Sequence, residues 1–350
     1  MPQDAAATAF HRAALDAFDD AARRAGLVRR RFDVAGRCVE LRFAGTALVD
    51  RIVPALAHLA VDSGVPELTV CLFDSGSTAT NLPRAPWSVD DLRERGEVHG
   101  FNTARFATAC NYGTSVLSMT DRARREALYW TSDARTLPYF EGASPLRSVL
   151  SWWLESAGMQ TIHAAGVALG GDGLLLTARG GSGKTTTSLL CLEDGFGFAG
   201  DNNVVIDCVA SSPPTCHSLY NSASLRPGNL HRLPTLTPFI RNADRLAEEK
   251  ALLFLNERAP DRMLRSFRVH AVMLPQVVDA TETRLVPASP GECLRALAPS
   301  SLLSLPGARG EAFARTAALV RTVPSFHLLL GSDLPAIPRL LRSFLGDVAR

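Results

Sequence analysis

The chain has 350 residues, of which 46% are hydrophobic and 21% are charged, and its formal net charge is +2. This length suits two domains that each bury a core, and the composition is that of a globular protein and excludes a disordered chain. The small net charge gives no sign of a nucleic-acid partner or of binding to an acidic membrane.

Targeting and redox signals indicate a cytoplasmic protein. No run of about eighteen apolar residues occurs, so we expect no membrane span. Asp4, Arg12 and Asp16 interrupt the N-terminal segment, so we expect no signal peptide. The seven cysteines are scattered and form no Cys-x-x-Cys pair. They therefore predict reduced thiols rather than a disulfide framework or a zinc site.

The first part of the chain mixes helical and strand patterns and shows no internal repeat. We assign residues 1–142 to a mixed α+β N-terminal domain. His58 and His99 are lone histidines with no matched acid or cysteine, and we find no catalytic constellation there. The predicted helices cover residues 5–24 and 46–62, and the predicted strands cover residues 32–34, 38–43, 68–73, 103–110, 114–120 and 124–131.

In the second part, strands alternate with helices, which favours an α/β nucleotide-binding domain over residues 143–350. Its first helix begins at Ser144 and Pro145 and stops at Gly158, as N-cap, first-turn and C-cap signals require. The predicted strands cover residues 161–169, 174–177, 196–200, 204–207, 269–274, 283–287 and 325–330, with a turn at 211–215. The later helices cover residues 186–194, 289–298 and 311–322, and a last one follows residue 333.

Residues 178–185, Ala-Arg-Gly-Gly-Ser-Gly-Lys-Thr, follow an apolar strand and open a helix. Glycines let consecutive backbone N–H groups turn toward phosphate oxygens, and the helix start adds its positive dipole end. The pattern matches the phosphate-binding loop Gly-x-x-x-x-Gly-Lys-[Ser/Thr] except at Ala178. We expect the nucleotide contacts to come from Gly180, Gly181, Ser182, Gly183, Lys184, Thr185 and Thr186.

Lysine usage supports a special role for Lys184. The chain has only two lysines, Lys184 and Lys250, among its 37 basic residues. A compact ammonium fits between two phosphates where a planar guanidinium does not. Lys250 follows two glutamates, which favours a solvated residue at a helix end, with a second phosphate contact as the alternative.

Asp201 follows the predicted strand at 196–200 and lies seventeen residues after Lys184. If this strand neighbours the strand at 174–177 that precedes the phosphate loop, Asp201 lies beside that loop. A carboxylate there can take a proton from an attacking hydroxyl or help to hold Mg²⁺. The alternative is an ordinary Gly-Asp-Asn turn.

Residues 162–164, 174–185 and 200–204 together resemble the catalytic core of HPr kinase/phosphorylase, and more closely the HPr-kinase-like serine kinases that include lasso-peptide kinases. The resemblance implies a base role for Asp201, a supporting role for His163, and nucleotide and metal roles for Lys184 and Thr185. Asn202 occupies the second of two adjacent acidic positions in that family. The metal ligands implied by the resemblance are therefore Thr185, Asp201 and Asn202, which carry one negative charge fewer than the ligands of the family. The detailed likeness covers about forty residues.

The leading hypothesis is therefore a kinase that uses ATP and Mg²⁺ to phosphorylate a hydroxyl, with a serine of a peptide or protein as acceptor. A nucleotide-binding regulator without transfer activity and a small-molecule kinase are the alternatives. The oligomeric state stays open, a homo-oligomer included.

Two further sets of residues remain open. Residues 218–228 are polar, and Asn221 or Arg226 would either contact phosphate or lie on a surface loop. One arginine of the group before the strand at 269–274 could stabilise charge on the transferring phosphoryl group. That group consists of Arg258, Arg262, Arg265 and Arg268.

Overall fold

The computed structural model describes residues 2–178, 181–208, 213–301 and 309–348. Arg179 and Gly180 of the predicted phosphate loop, and part of the turn at 211–215, lie outside these ranges. The chain divides into two compact units, the first of which runs to Ser156 while the second begins at Ala157. The helix Arg147–Ser156 thus lies in the first unit, although the predicted boundary lies at residue 142.

The first unit contains a seven-stranded mixed sheet in the order β3-β1-β2-β4-β7-β6-β5. β2, β4 and β7 run parallel, and the remaining pairs are antiparallel. The strands are β1 Leu27–Val34, β2 Arg37–Ala44, β3 Ala60–Val61, β4 Leu68–Asp74, β5 Phe106–Asn111, β6 Val116–Asp121 and β7 Glu126–Thr131. The helices are α1 Pro2–Ala25, α2 Val49–Leu56, α3 Ser75–Thr78, α4 Tyr139–Ala143 and α5 Arg147–Ser156.

Helix α1 covers one face of this sheet because its apolar residues recur at helical spacing. Ala7, Phe10, Ala14 and Phe18 are all buried and form one core with sheet residues such as Phe73. Residues three or four apart share one face of a helix, so this spacing gives a continuous apolar stripe. The predicted helix at 5–24 is confirmed, whereas the helix predicted at 46–62 is shorter, as α2.

The second unit begins with three short strands, and helix α6 is followed by five further strands before the remaining helices and strands. Its strands are β8 Gln160–Ile162, β9 Ala165–Leu169, β10 Asp172–Leu176, β11 Gly197–Gly200, β12 Val204–Asp207, β13 Thr215–Ser218, β14 Ser222–Leu225, β15 Ala251–Phe254, β16 Ser266–Val277, β17 Arg284–Ala288 and β18 Ser325–Leu330. Its helices are α6 Lys184–Glu193, α7 Leu255–Arg258, α8 Pro290–Ser301, α9 Arg309–Thr322 and α10 Ala336–Val348.

The large sheet of the second unit follows the order β11-β9-β10-β16-β13-β12-β8. β18 also pairs with β16, and β17 pairs with β18. β14 and β15 form a separate two-stranded sheet. The chain passes from Ile162 in β8 to Ala165 in β9 within three residues, which span at most about 11 Å. Five strand spacings in a flat sheet would cover about 24 Å. The sheet therefore curls until β8 and β9 are close together.

This curl corrects one prediction. The strand expected at 161–169 is broken at His163 and Ala164 into two strands with different partners. The break places His163 at the junction of β8 and β9 rather than within a strand.

Helix α6 is held from two sides, because its apolar residues face in two directions. Cys191 belongs to a core with β9, β10, β16 and α10. Leu189 and Leu192 belong to another core with the β14–β15 pair. The start of α6 is thereby fixed between the large sheet and this small one.

The predicted fold class is met at a coarse level. The described fold is mixed α/β. All seven cysteines lie in the described ranges and are free. Within those ranges, no helix combines the length and the apolar character needed to cross a lipid bilayer.

Candidate active site

A cavity of about 250 Å³ in the second unit lies against the start of α6. Residues 181–187 line it, together with His163 and Asn202. Residues 181–185 of the predicted phosphate loop, the predicted site residues His163 and Asn202, and the first turn of helix α6 thus share one space. Gly180, also predicted to contact nucleotide, lies outside the described residues.

Two loop glycines have conformations that other residues rarely adopt. Gly181 has φ +92° and Gly183, the N-cap of α6, has φ +101°. A Cβ added at Gly183 would lie 2.5 Å from Cδ1 of Leu330, so the position is also crowded. By contrast, Ala178 is not among the residues with positive φ. The loop therefore requires no glycine at the position where this chain departs from the usual pattern.

Lys184 is the first residue of α6, and its side chain is 8% exposed. Its ammonium donates hydrogen bonds to the backbone carbonyl of Asp201 and, at 3.2 Å, to Oδ1 of Asn202. Oδ1 of Asp201 lies 3.5 Å from Nζ. Burial lowers the pKa of Lys184, while the neighbouring Asp201 raises it. The lysine is thus fixed at the base of the cavity by the residues that follow β11.

The Asp201 carboxylate is fully buried directly below the loop. Its Oδ2 accepts a 2.9 Å hydrogen bond from the Thr185 hydroxyl and a 3.4 Å bond from the backbone N–H of Ser224. Its Oδ1 has no hydrogen-bond partner among the described residues. Asp201 itself does not line the cavity, so the acceptor would have to reach it past Thr185 or Lys184.

The residues at this point suit Mg²⁺. The Thr185 hydroxyl and the Asp201 carboxylate supply hard oxygen ligands, and one carboxylate oxygen is buried without a hydrogen bond. The described residues contain no group of three or more His, Cys, Asp and Glu side chains that could hold a metal. Mg²⁺ at nucleotide sites commonly uses one or two protein oxygens and completes its shell with phosphates and water.

The strands bring Asp201 to the loop by a route that differs from the one predicted. β11 does not pair with β10, because β9 lies between them and is antiparallel to both. β10 and β11 therefore run in the same direction, and their carboxyl ends meet at the same edge of the sheet. The loop follows β10 and Asp201 follows β11, so both reach that edge although the strands are not neighbours.

His163 lines the same cavity from the β8–β9 junction. The main chain fixes it on both sides, since its N–H donates to Oγ of Ser301 at 2.9 Å and its carbonyl accepts from the Thr177 hydroxyl at 3.2 Å. The predicted proximity of His163 to the loop is therefore present.

The cavity also contains cationic residues that sequence reasoning ranked low or did not consider. Arg226, Arg232 and Lys250 line it. The Arg226 guanidinium lies 3.7 Å from the position of a Cβ at Gly181, so it covers the loop. The prediction that Lys250 lies at a helix end is wrong, because this residue directly precedes β15. The register of the β14–β15 pair brings it to the cavity, and sequence spacing carries no signal of that pairing.

The arginine group at 258–268, whose last member Arg268 lies within β16, does not reach this site, since none of its members lines the cavity. Arg258 pairs with Glu193 at 3.5 Å, and Arg268 pairs with Asp172 at 2.8 Å. The predicted stabilisation of phosphoryl charge by one of these arginines finds no support in the described geometry.

Comparison with known proteins adds a distant likeness to solved structures. No protein-family model matches the chain, and no curated protein matches it. Among solved structures, the chain is similar to the Hpr(Ser) kinase/phosphatase from Coxiella burnetii, with 13% sequence identity and a TM-score of 0.31. The alignment covers 55% of this chain and 99% of that chain. The likeness is one of fold at a distance, and the functional argument rests on the residues described above.

Proposed function

We propose that this chain is an ATP-dependent kinase that transfers the γ-phosphoryl group to a serine hydroxyl of a peptide or protein. The observation that carries the proposal is the meeting of the Lys184 ammonium, the Thr185 hydroxyl and the Asp201 carboxylate below a glycine-rich loop at a helix start. This combination supplies positive charge for phosphates and a carboxylate base for proton transfer within one site.

The donor phosphates bind to the loop N–H groups and to Lys184, and Arg226 covers them from above. Lys184 has little exposed surface, so its charge acts in a poorly screened environment and attracts the phosphates strongly. Mg²⁺, when bound at Thr185 and Asp201, supplies further charge for the phosphates. Asn202 positions Lys184 through its 3.2 Å hydrogen bond rather than adding a second negative charge.

In the transfer, the serine oxygen forms a bond to the γ-phosphorus, and the bond between that phosphorus and the β–γ bridging oxygen breaks. The serine proton goes to Asp201, and ADP leaves with the electron pair of the broken bond. We assign the proton to the carboxylate group rather than to one of its oxygens. Oδ2 accepts hydrogen bonds from Thr185 and Ser224, and Oδ1 lies 3.5 Å from Nζ of Lys184. His163 contributes from the same cavity by orienting the acceptor.

Mass spectrometry of serine peptides after incubation with labelled ATP and Mg²⁺ tests the proposal. The parent chain should transfer label, whereas Lys184→Ala and Asp201→Asn should lose at least about a hundredfold in rate. Asp261→Asn, an exposed change in the same unit that removes the same charge, should leave the rate unchanged. Labelled peptide with Asp201→Asn at the parent rate would contradict the proposed base.

The pH dependence of kcat/KM distinguishes the two candidates for the base. A carboxylate base gives an acidic limb well below pH 6, whereas an imidazole base gives one near about 6.5. An acidic limb near 6.5 that disappears in His163→Gln would transfer the base role to His163.

One observation favours a second candidate, a nucleotide-binding regulator. The Asp201 carboxylate has no exposed surface, and its neighbour Asn202 is an amide. ATP binding that depends on Lys184, without transfer to any peptide tested, would support this alternative.

A further inference from the structure

The charges that line the cavity all have one sign. Lys184, Arg226, Arg232 and Lys250 are the ionised groups on its wall, and no carboxylate of the described residues lines it. Lys184 and Arg226 adjoin the loop and suit the donor phosphates. Arg232 and Lys250 supply two further positive charges to the cavity wall.

Lys250 faces another cation across a strand pair. β14 and β15 are antiparallel, and Leu225 pairs with Ala251. The next residues outward are Arg226 and Lys250, which are therefore opposite each other at the end of the ladder. Like charges in that relation destabilise a strand pair. An anion bound near them would remove this cost.

The acid that precedes Lys250 in the sequence does not pair with it. Glu249 directs its carboxylate to Arg245 at 2.5 Å and to the side-chain amide of Asn242 at 2.9 Å. Asn242, which is buried, also donates to the carbonyl of Lys250 at 2.9 Å. The Lys250 main chain is thus held in place while the adjacent acid is used elsewhere.

Other cations of the same region do have acidic partners. Arg241 pairs with Glu257, and Arg245 pairs with Glu249. Within the described ranges, no such pair involves Arg226, Arg232 or Lys250. Lys250 also lies near enough to Lys184 for its charge to lower the pKa of that lysine. The site therefore has an excess of positive charge close to the position of transfer.

We infer that Lys250 and Arg232 bind a carboxylate of the acceptor, so that the preferred substrate is an acidic peptide whose serine is flanked by Asp or Glu. This inference rests on the proposed function, since it names the substrate class of the same site. The positive wall attracts such a peptide, and it disfavours a serine flanked by Lys or Arg.

Peptide binding tests the inference without requiring transfer. Three labelled peptides of equal length carry one serine flanked by Glu, by Gln or by Lys, and their Kd values are measured by fluorescence anisotropy with a non-hydrolysable ATP analogue and Mg²⁺. The Glu peptide should bind about tenfold more tightly than the Gln peptide at low salt. The difference should shrink as salt is added, because the two cations are exposed.

Variants identify the residues responsible. Lys250→Ala and Arg232→Ala should each reduce the preference for Glu by about three- to fivefold, and Lys250→Glu should abolish it. Arg295→Ala removes an exposed charge on α8, away from the cavity, and should retain the full preference. The Kd of the ATP analogue should stay within about twofold in Lys250→Ala, Arg232→Ala and Arg295→Ala.

Equal Kd values for the Glu and Gln peptides, or a loss of ATP-analogue binding as large as the loss of peptide binding, would overturn the inference. The two proposals fail separately. Transfer to serine without charge preference rejects the acidic substrate and retains the kinase. Lys250-dependent binding of the Glu peptide without transfer retains the acidic ligand and rejects the kinase.

Discussion

The hydroxyl of Thr185 donates a 2.9 Å hydrogen bond to Oδ2 of Asp201, although sixteen residues separate them in the chain. The first residue belongs to the initial turn of α6 and the second follows β11, so the bond joins the helix start to the edge of the large sheet. It also brings together two oxygen ligands that the sequence predicts for one metal ion. The geometry of this pair leads to tests of the loop, the lysine and the neighbouring amide.

The phosphate loop should tolerate glycine at position 178 but should be disrupted by alanine at position 183. Gly183→Ala puts a Cβ 2.5 Å from Leu330 in a residue with φ +101°. We expect it to cost about 1–3 kcal/mol of unfolding free energy and to weaken ATP binding at least tenfold. Ala178→Gly, the matched reverse change, should cost less than about 1 kcal/mol and leave ATP affinity nearly unchanged. Urea unfolding and nucleotide titration measure both, and tighter ATP binding by Ala178→Gly would contradict this account of the loop.

Lys184→Arg should weaken ATP binding although it retains the positive charge. The side chain is 8% exposed between the carbonyl of Asp201 and the amide of Asn202, where a planar guanidinium has no room to lie flat. We expect the Kd for ATP to rise at least about tenfold. Arg295→Lys makes the opposite exchange at an exposed site and serves as the control in the same titration. Unchanged ATP affinity in Lys184→Arg would show that the compact ammonium is not required.

Asn202→Asp should strengthen magnesium binding. The amide Oδ1 lies 3.2 Å from Nζ of Lys184, so a carboxylate there would add negative charge beside Asp201 while remaining next to a cation. Mg²⁺ binds carboxylates more strongly than amides. We expect the Mg²⁺ concentration needed for half-maximal ATP binding to fall several-fold, as measured by Mg²⁺ titration at a fixed concentration of ATP analogue. A Mg²⁺ requirement identical to that of the parent would mean that residue 202 does not face the ion.

The first unit should lose stability in acid because of His11. Burial lowers the pKa of this histidine to about 4, with Asp121 raising it and Arg124 and Arg105 lowering it further. The unfolded pKa is about 6.5, so the unfolded chain binds the extra proton first. Stability is therefore complete above about pH 6.5 and falls as the pH drops toward 4, by about 3 kcal/mol.

Tryptophan fluorescence can follow this loss in urea, because all four tryptophans lie before Ala157. We expect His11→Leu to flatten the decline between pH 7 and pH 5. His99→Gln, a change at an exposed histidine of the same unit, should keep it. An equal decline in the parent and in His11→Leu would assign the acid sensitivity to other groups.

Local patterns in the sequence predicted most elements of the fold. The stripe of Ala7, Phe10, Ala14 and Phe18 predicts α1 because residues three or four apart share a helix face. The glycines and lysine at 181–184 predict a loop before a helix because backbone conformation is a local property. The predicted strand through His163 was wrong, since the break there depends on the curl of the sheet rather than on local propensity.

By itself the sequence predicted a phosphate loop, singled out Lys184, and proposed Asp201 as its acidic counterpart, since residue type and local spacing carry that information. Only the tertiary structure decided which strands adjoin, that Arg226 covers Gly181, and that Lys250 lines the same cavity. These facts depend on strand register and sheet order, which arise when distant segments bury their apolar faces together. No pattern within a single segment contains that information.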